Sequence, residues 1–280
     1  MSIRRILVAL DASAHSRAAL ETASELASRL DAELTGLFVE DINLLRLAEL
    51  PFAREIGYPS ALRRELNLDA IEGVFKGIAE QARRAMAEAA GKVRVPWTFR
   101  VARGMVASEL LAALAEADLL TIGIASREFG RRQRLGSTAF AAMTAAPGAV
   151  LLLQRGASIR EPVMVVLDGS DASLKALSAA AELAKACGDG LVVLILSDDL
   201  KVARKLQEQA SAALKGTGRQ ARFRSLAGAE PSDLIQTARE ERAGLLVLPG
   251  PSALLEHDDF QDLVAQIGCP VFIMRSAEVT

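Results

Sequence analysis

The sequence predicts an α/β fold built twice in one chain: two tandem domains, each a five-stranded parallel sheet flanked by helices. Three observations carry this expectation. Short apolar runs alternate with Ala- and Leu-rich stretches at helical spacing, the chain matches itself at a long offset, and its 280 residues suit two domains at roughly 150 residues each. At an offset of 157, residues 11–41 align without a gap on 168–198, with Asp11, Ser13, Ser16, Leu20, Leu26 and Asp41 recurring as Asp168, Ser170, Ser173, Leu177, Leu183 and Asp198. At an offset of 124, Phe99, Arg100, Gly104, Ser108 and Leu110 recur as Phe223, Arg224, Gly228, Ser232 and Leu234. The offsets differ by 33, so the first copy carries about 33 extra residues between Asp41 and Phe99. A period this long marks a duplicated domain, because repeat arrays run at roughly 20–50 residues. The polar stretch QRGASIRE (154–161) places the junction, giving domains 1–156 and 157–280, with a helical insert near 42–75 in the first.

The elements follow in pairs. Residues 6–10 and 164–167 are continuous apolar runs, the pattern of strands buried on both faces. Asp-x-Ser comes next in each copy, then helices over 16–30 and 173–187, without Gly or Pro inside and with a Ser or Asp placed to cap. Second strands are expected at 34–39 and 191–196, third strands at 97–102 and 222–227. The third strands alternate more and belong nearer an edge. Ser108 and Ser232, each followed by an acidic residue, read as helix starts. Fourth strands fall at 119–123 and 245–248, fifth strands at 149–153 and 271–274, each after a proline. Such alternation implies a parallel sheet covered on both sides. Ligands then bind beyond the carboxyl ends of the strands, where strand order reverses. The insert mixes Leu, Ile and Phe with scattered charges. It reads as a helical excursion packed on its own domain or across a dimer, or as a lid over a ligand.

Composition narrows the function. Lys+Arg 33 against Asp+Glu 35 give a net charge of -2, which argues against bulk nucleic acid as the main partner. Aromatics, at 4%, are too few for a base-stacking platform. Hydrophobic residues, at 51%, supply a sizeable core. Yet the run at 6–10 is too short for a secretory core region, and no stretch approaches the ~18 apolar residues of a membrane span. Cys187 and Cys269 lack metal or disulfide spacing and read as small buried hydrophobes. A cytoplasmic protein is expected.

Candidate chemistry concentrates in the first copy. Asp11 and Asp168 end first strands, where a carboxylate meets either a ligand or the N–H groups of the next helix. The strongest signal is the stretch 123–138, which follows the fourth strand with Gly123, Gly130 and Gly136 among Arg127, Arg131, Arg132 and Arg134. Glycines let backbone N–H groups approach an anion. Gly136-Ser137-Thr138 then opens an Ala-rich helix, 139–146, whose N-terminus suits phosphate. It is neither a Walker loop nor a GxGxxG turn. The second copy has Pro249 where Gly123 stands, and Glu256, Asp258, Asp259 and Asp262 where the arginines stand. Like charge repels phosphate there. His15 and His257 read as exposed helix-start residues, and no Ser/His/Asp or paired-carboxylate arrangement is legible.

Each half resembles a universal stress protein domain, and the chain resembles the tandem members of that family. The matching stretches are ILVALDAS, LTGLFVED, ADLLTIG and Gly136-Ser137 in the first half, and VMVVLDGS, AGLLVL and GCPVFIM in the second. The resemblance implies Rossmann-like (adenine nucleotide alpha hydrolase-like) domains with strand order 3-2-1-4-5 that pair through their fifth strands. Nucleotide-binding members follow G-x2-G-x9-G-[ST]. Gly123, Gly136 and Ser137 occupy its first and last positions, whereas Ser126 stands at the middle glycine. By this resemblance, Asp11 and the Val39 backbone meet adenine, Ile122 and Gly123 flank ribose and phosphates, and Gly136, Ser137 and Thr138 hold phosphate. Arg127 joins them on its charge alone. The expected ligand is ATP or AMP in the first domain only, with Mg2+ only alongside ATP, in a non-enzymatic stress-response protein that acts through regulation or an unknown protein partner. A nucleotide-free scaffold is the alternative, and a slow ATPase a third reading. A self-paired single chain and a homodimer both stay open.

Overall fold

The apolar runs become the centre of one ten-stranded sheet. The computed structural model describes residues 3–50, 54–56, 63–65, 67–124, 127–129, 132–134, 136–154, 156–215, 220–227, 230–250, 263–264 and 266–275, with backbone only at 55–56, 63–65, 127–129 and 132–134. The first half runs β1 (Arg5–Ala9), α1 (Ala14–Leu30), β2 (Glu33–Asp41), α2 (Ile42–Ala48), β3 (Arg54–Ile56), β4 (Arg63–Glu65), α3 (Leu68–Val93) and β5 (Trp97–Gly104). It continues with α4 (Val106–Leu114), β6 (Leu119–Ile124), β7 (Arg127–Phe129), β8 (Arg132–Arg134), α5 (Ser137–Ala145) and β9 (Ala149–Gln154). The second half runs β10 (Val163–Leu167), α6 (Asp171–Cys187), β11 (Leu191–Leu196), α7 (Leu200–Lys215), β12 (Arg222–Leu226), α8 (Pro231–Glu240), β13 (Leu245–Gly250) and β14 (Val271–Arg275).

The sheet order is β12-β11-β10-β13-β14-β9-β6-β1-β2-β5. Each half therefore has the order 3-2-1-4-5, parallel throughout, and β9 meets β14 antiparallel through Val150–Ile273, Leu151–Phe272 and Leu152–Val271. Those pairs are symmetric about Leu151 and Phe272, so the halves are related by a local twofold. All six side chains are fully buried. The fifth-strand edge is thus filled within the chain. As alternation suggested, β5 and β12 are the two outer strands, and both are half exposed.

Helices cover both faces. α1, α3, α6 and α7 pack on one side, where Leu20, Leu26, Met86, Leu177 and Leu206 join a core shared by both halves. α4, α5 and α8 pack on the other, through Leu110, Met143 and Leu234. Five helix starts fall one or two residues earlier than expected, with α1 at Ala14, α5 at Ser137 and α6 at Asp171 in place of 16, 139 and 173. α4 begins at Val106 and α8 at Pro231, not at Ser108 and Ser232. A Ser followed by an acidic residue also suits the first turn, and Pro231 sits at the position where proline's fixed φ and missing N–H cost nothing.

The insert packs on its own domain. Leu45 of α2 and Phe75 of α3 bury against Phe38 of β2, with the Phe38 and Phe75 rings edge-on at 6.1 Å. Arg103 of β5 staples it, with Nε 2.7 Å from Glu40 and a terminal nitrogen 3.1 Å from Glu72. α2 also contacts β5. This is the packed excursion of the two alternatives, and the described part does not cover the strand ends as a lid would.

Candidate functional site

The site forms where the order reverses in the first half, between β1, with β2 on one side, and β6 on the other. Asp11 leaves β1 in a tight turn. Ala12 has φ 58°, a left-handed conformation that costs an L-residue about 1–2 kcal/mol. Asp11 Oδ1 accepts the Ser13 N–H at 3.0 Å, and Ser13 Oγ accepts the Ser16 N–H at 3.1 Å, capping α1. Ser16 Oγ donates to the Ser13 carbonyl at 3.2 Å and accepts the Asp11 N–H at 3.4 Å. The cap is therefore Ser13, and Asp11 orients it through the Ser13 N–H. Partial burial pushes the Asp11 carboxyl up, but hydrogen bonds with Ser13, Ser16 and the turn backbone outweigh it, so the group lies below the ordinary carboxylate range.

The same turn recurs at Asp168, which accepts the Ser170 N–H at 2.9 Å and its hydroxyl at 2.6 Å. There the left-handed position is Gly169, at φ 88°.

Gly123, near the end of β6, is a close-approach glycine. A Cβ there would lie 2.4 Å from the His15 carbonyl oxygen, so α1 can start beside β6 only because the side chain is absent. Gly136 differs. It precedes α5 with φ -62°, which any residue adopts, and a Cβ there would meet nothing within 4 Å among the described residues. Gly136 itself lines the cleft described next.

These elements enclose a cleft of about 440 Å³, lined by Ala9, Leu10, Asp11, Ser16, Leu37, Val39, Val106, Leu110, Ile122, Gly123, Ile124 and the residues Gly136, Ser137, Thr138 and Ala139. Asp11, Val39, Ile122, Gly123, Gly136, Ser137 and Thr138, which the sequence singled out, thus share one cavity. Ser126 lies outside the described residues. The Arg127 backbone belongs to β7, which pairs antiparallel with β8, so the stretch expected as a loop contains a short hairpin; its arginine side chains are outside the description. Residues 251–262, with His257 and the four acids, also lie outside it.

Sequence reasoning missed the walls. Leu37 shares a strand face with Val39, and Val106 shares a helix face with Leu110. These spacings could have found them once β2 and α4 were placed side by side.

Chemically, the cleft lining combines one carboxylate, Asp11, with the start of a helix at Ser137. α5 has no side-chain cap and no acidic residue in its first turn, and its first intrahelical bond runs from Phe140 N–H to the Gly136 carbonyl. The N–H groups of Ser137, Thr138 and Ala139 thus have no intrahelical acceptor, as at any helix N-terminus. The rest of the lining is mostly apolar, including Leu10, Leu37, Val39, Val106, Leu110 and Ile122. Burial pushes the Cys269 thiol up to about 11, and it pushes Cys187 up despite the opposing Arg29 guanidinium, so neither is a reactive thiolate. Among the described residues no group of three or more His, Cys, Asp or Glu could hold a metal, and no helix is long and apolar enough to cross a membrane.

The model of the Universal stress protein family matches residues 2–154. The chain belongs to the universal stress protein family. Solved structures agree on the fold. A universal stress protein from Archaeoglobus fulgidus DSM 4304 superposes with TM-score 0.78 at 16% identity, covering 98% of this chain and 99% of that one. A candidate universal stress protein from Pseudomonas aeruginosa UCBPP-PA14 gives 0.62 at 15%, covering 98% and 94%. A functionally unknown protein from Pseudomonas aeruginosa PAO1 gives 0.56 at 15%, covering 99% and 94%. Comparison with curated proteins finds no match. Family membership supports a stress-response role.

Proposed function

We propose that the first domain, residues 1–156, binds one adenine nucleotide, AMP or ATP, in this cleft, and that the second domain, 157–280, does not. The observation that carries the reading is that the Asp11 carboxylate and the α5 N-terminus line one largely apolar cavity. The dimensions fit: ligand cavities run at roughly 300–1,000 Å³. Asp11 and the Val39 backbone would receive the base and ribose, the walls Leu37, Val106 and Leu110 would flank the ring, and the N–H groups of 137–139 would hold phosphate. Ser126 and Arg127 complete the phosphate end in this reading. Mg2+ would accompany ATP alone.

The protein then acts as a cytoplasmic binder whose occupancy regulates a partner, not as a catalyst. The one carboxylate among the described lining residues, Asp11, is engaged by the Ser13 and Ser16 turn, and no histidine joins it there. One observation favours the nucleotide-free scaffold instead: the only charged side chain among those lining residues is Asp11, which repels phosphate. Calorimetric titration of nucleotide-stripped protein decides between them. The reading expects saturable binding of AMP or ATP below millimolar concentration, and heat no larger than dilution up to that concentration would sink it.

A further inference from the structure

The two fifth strands end in side chains that cross the local twofold. Gln154, the last residue of β9, donates through Nε2 to the Val264 carbonyl in the second half, at 2.5 Å. Arg275, the last residue of β14, donates through one terminal nitrogen to the Met143 carbonyl at 3.0 Å and to the Thr144 carbonyl. The two contacts are symmetry mates, since Met143 and Val264 precede their fifth strands equivalently. Their consequences differ, because Met143 and Thr144 close α5, the helix whose N-terminus lines the cleft.

α5 needs this contact. It has nine residues, where isolated helices shorter than ~12–15 are marginal, and no basic residue in its last turn. Of its terminal carbonyls, Ala142 accepts the Ala146 N–H, and those of Met143 and Thr144 are taken by Arg275. The second half thus supplies the C-terminal cap of the helix on which the first half's anion donors sit.

We propose that Arg275 is a positioning residue for the nucleotide cleft: by pinning the far end of α5 it fixes where the N–H groups of Ser137, Thr138 and Ala139 point. This rests on the nucleotide reading above. The action is mechanical more than Coulombic. A helix of nine residues spans roughly 14 Å, beyond the ~8 Å screening length at physiological ionic strength. It also gives the second domain a task in a cleft to which none of its described residues contributes a wall. By linkage, a ligand that fixes α5 at one end strengthens the grip of β14 at the other.

The test uses the full chain and AMP as probe, comparing the native protein, Arg275→Gln, Arg275→Lys and the mirror variant Gln154→Ala. Calorimetry gives the Kd and 31P NMR the shift of bound phosphate, which reports on donors at the α5 N-terminus and not on global stability. Arg275→Gln is expected to weaken AMP roughly threefold to tenfold, the range of one typical hydrogen bond, and to move the phosphate resonance. Arg275→Lys, which keeps the charge and loses the fork, falls between. Gln154→Ala is expected to lower the melting temperature while leaving Kd within about twofold and the resonance in place.

An unchanged Kd and resonance in Arg275→Gln, or a loss no larger than that of Gln154→Ala, overturns the proposal while leaving the nucleotide reading intact. No AMP or ATP binding by the native chain overturns both. If Arg275→Gln does not fold, Arg275→Lys decides in the same way, native-like binding counting against the tether.

Discussion

The two halves share a sheet order, an Asp-x-Ser turn and a common pair of cores, yet only the first departs from the relaxed solution at each matching position. After the first strand it holds Ala12 at φ 58°, where the second places Gly169 at φ 88°. In the middle of its fourth strand it buries Thr121, whose hydroxyl has no hydrogen-bond partner among the described residues, where the register puts Val247 in the second half. Near the end of that strand it presses Gly123 onto the α1 backbone, where the second has Pro249. The left-handed Ala12 and the unpartnered Thr121 hydroxyl each cost stability, and all three positions lie on β6 or in the turn after β1. Strain of this kind clusters where structure is bent to a ligand's shape. The comparison fits the proposed division of labour, in which one half holds a site and the other braces it.

That division can be broken or sharpened by substitution, beginning with the largest effect. Gly123→Val puts side-chain atoms against the His15 backbone and should cost about 1–3 kcal/mol in urea unfolding, together with AMP binding. Gly136→Val has open space and should leave stability within about 0.5 kcal/mol while weakening AMP at least tenfold, about 1.4 kcal/mol. Loss of stability at Gly136 instead would mean the glycine serves the fold. Thr121→Val copies the second half, removes an unsatisfied buried hydroxyl, and should raise stability by about 1 kcal/mol. Ala12→Gly exchanges a left-handed penalty of about 1–2 kcal/mol for the added unfolded-state entropy of glycine, roughly 0.4–1 kcal/mol. A net gain of about 0.5–1 kcal/mol is expected, and Gly169→Ala should show the opposite sign.

The smallest effect is acid dependence. Asp11 titrates below its ordinary value of 3.8 because its hydrogen bonds outweigh partial burial. A carboxylate with a lower pKa folded than unfolded adds stability that is complete above the unfolded value and disappears as pH falls through the folded one. Asp11→Asn should therefore flatten the decline in melting temperature below about pH 4 and change little above it. Solvent at the exposed carboxylate keeps this contribution small. An identical acid limb in the variant would mean that the turn does not favour the ionised form.

Much of this was legible in the residues, for physical reasons. Strands buried on both faces announce themselves as apolar runs, and the outer strands β5 and β12 by their alternation. Asp11, Gly123 and the 136–138 segment carry local signals, a carboxylate at a strand end and glycines before a helix. Leu37, Val106 and Leu110 carry none, because a ligand wall made of core-type residues is identified only by what it faces. The cross-twofold contacts of Gln154 and Arg275 were equally silent: each depends on a register that exists only once β9 and β14 pair. The start of α4 was misplaced at Ser108 because the residue before the helix, Met105, makes no side-chain cap, leaving no polar signature to read.

The central claim is that one chain holds one nucleotide, in the first half. It is tested most directly by the stoichiometry of AMP bound to the stripped, full-length protein, measured by equilibrium dialysis beside the Gly136→Val variant. One AMP per native chain and none per variant chain is the predicted result. Two per native chain, or one that persists in Gly136→Val, would contradict it.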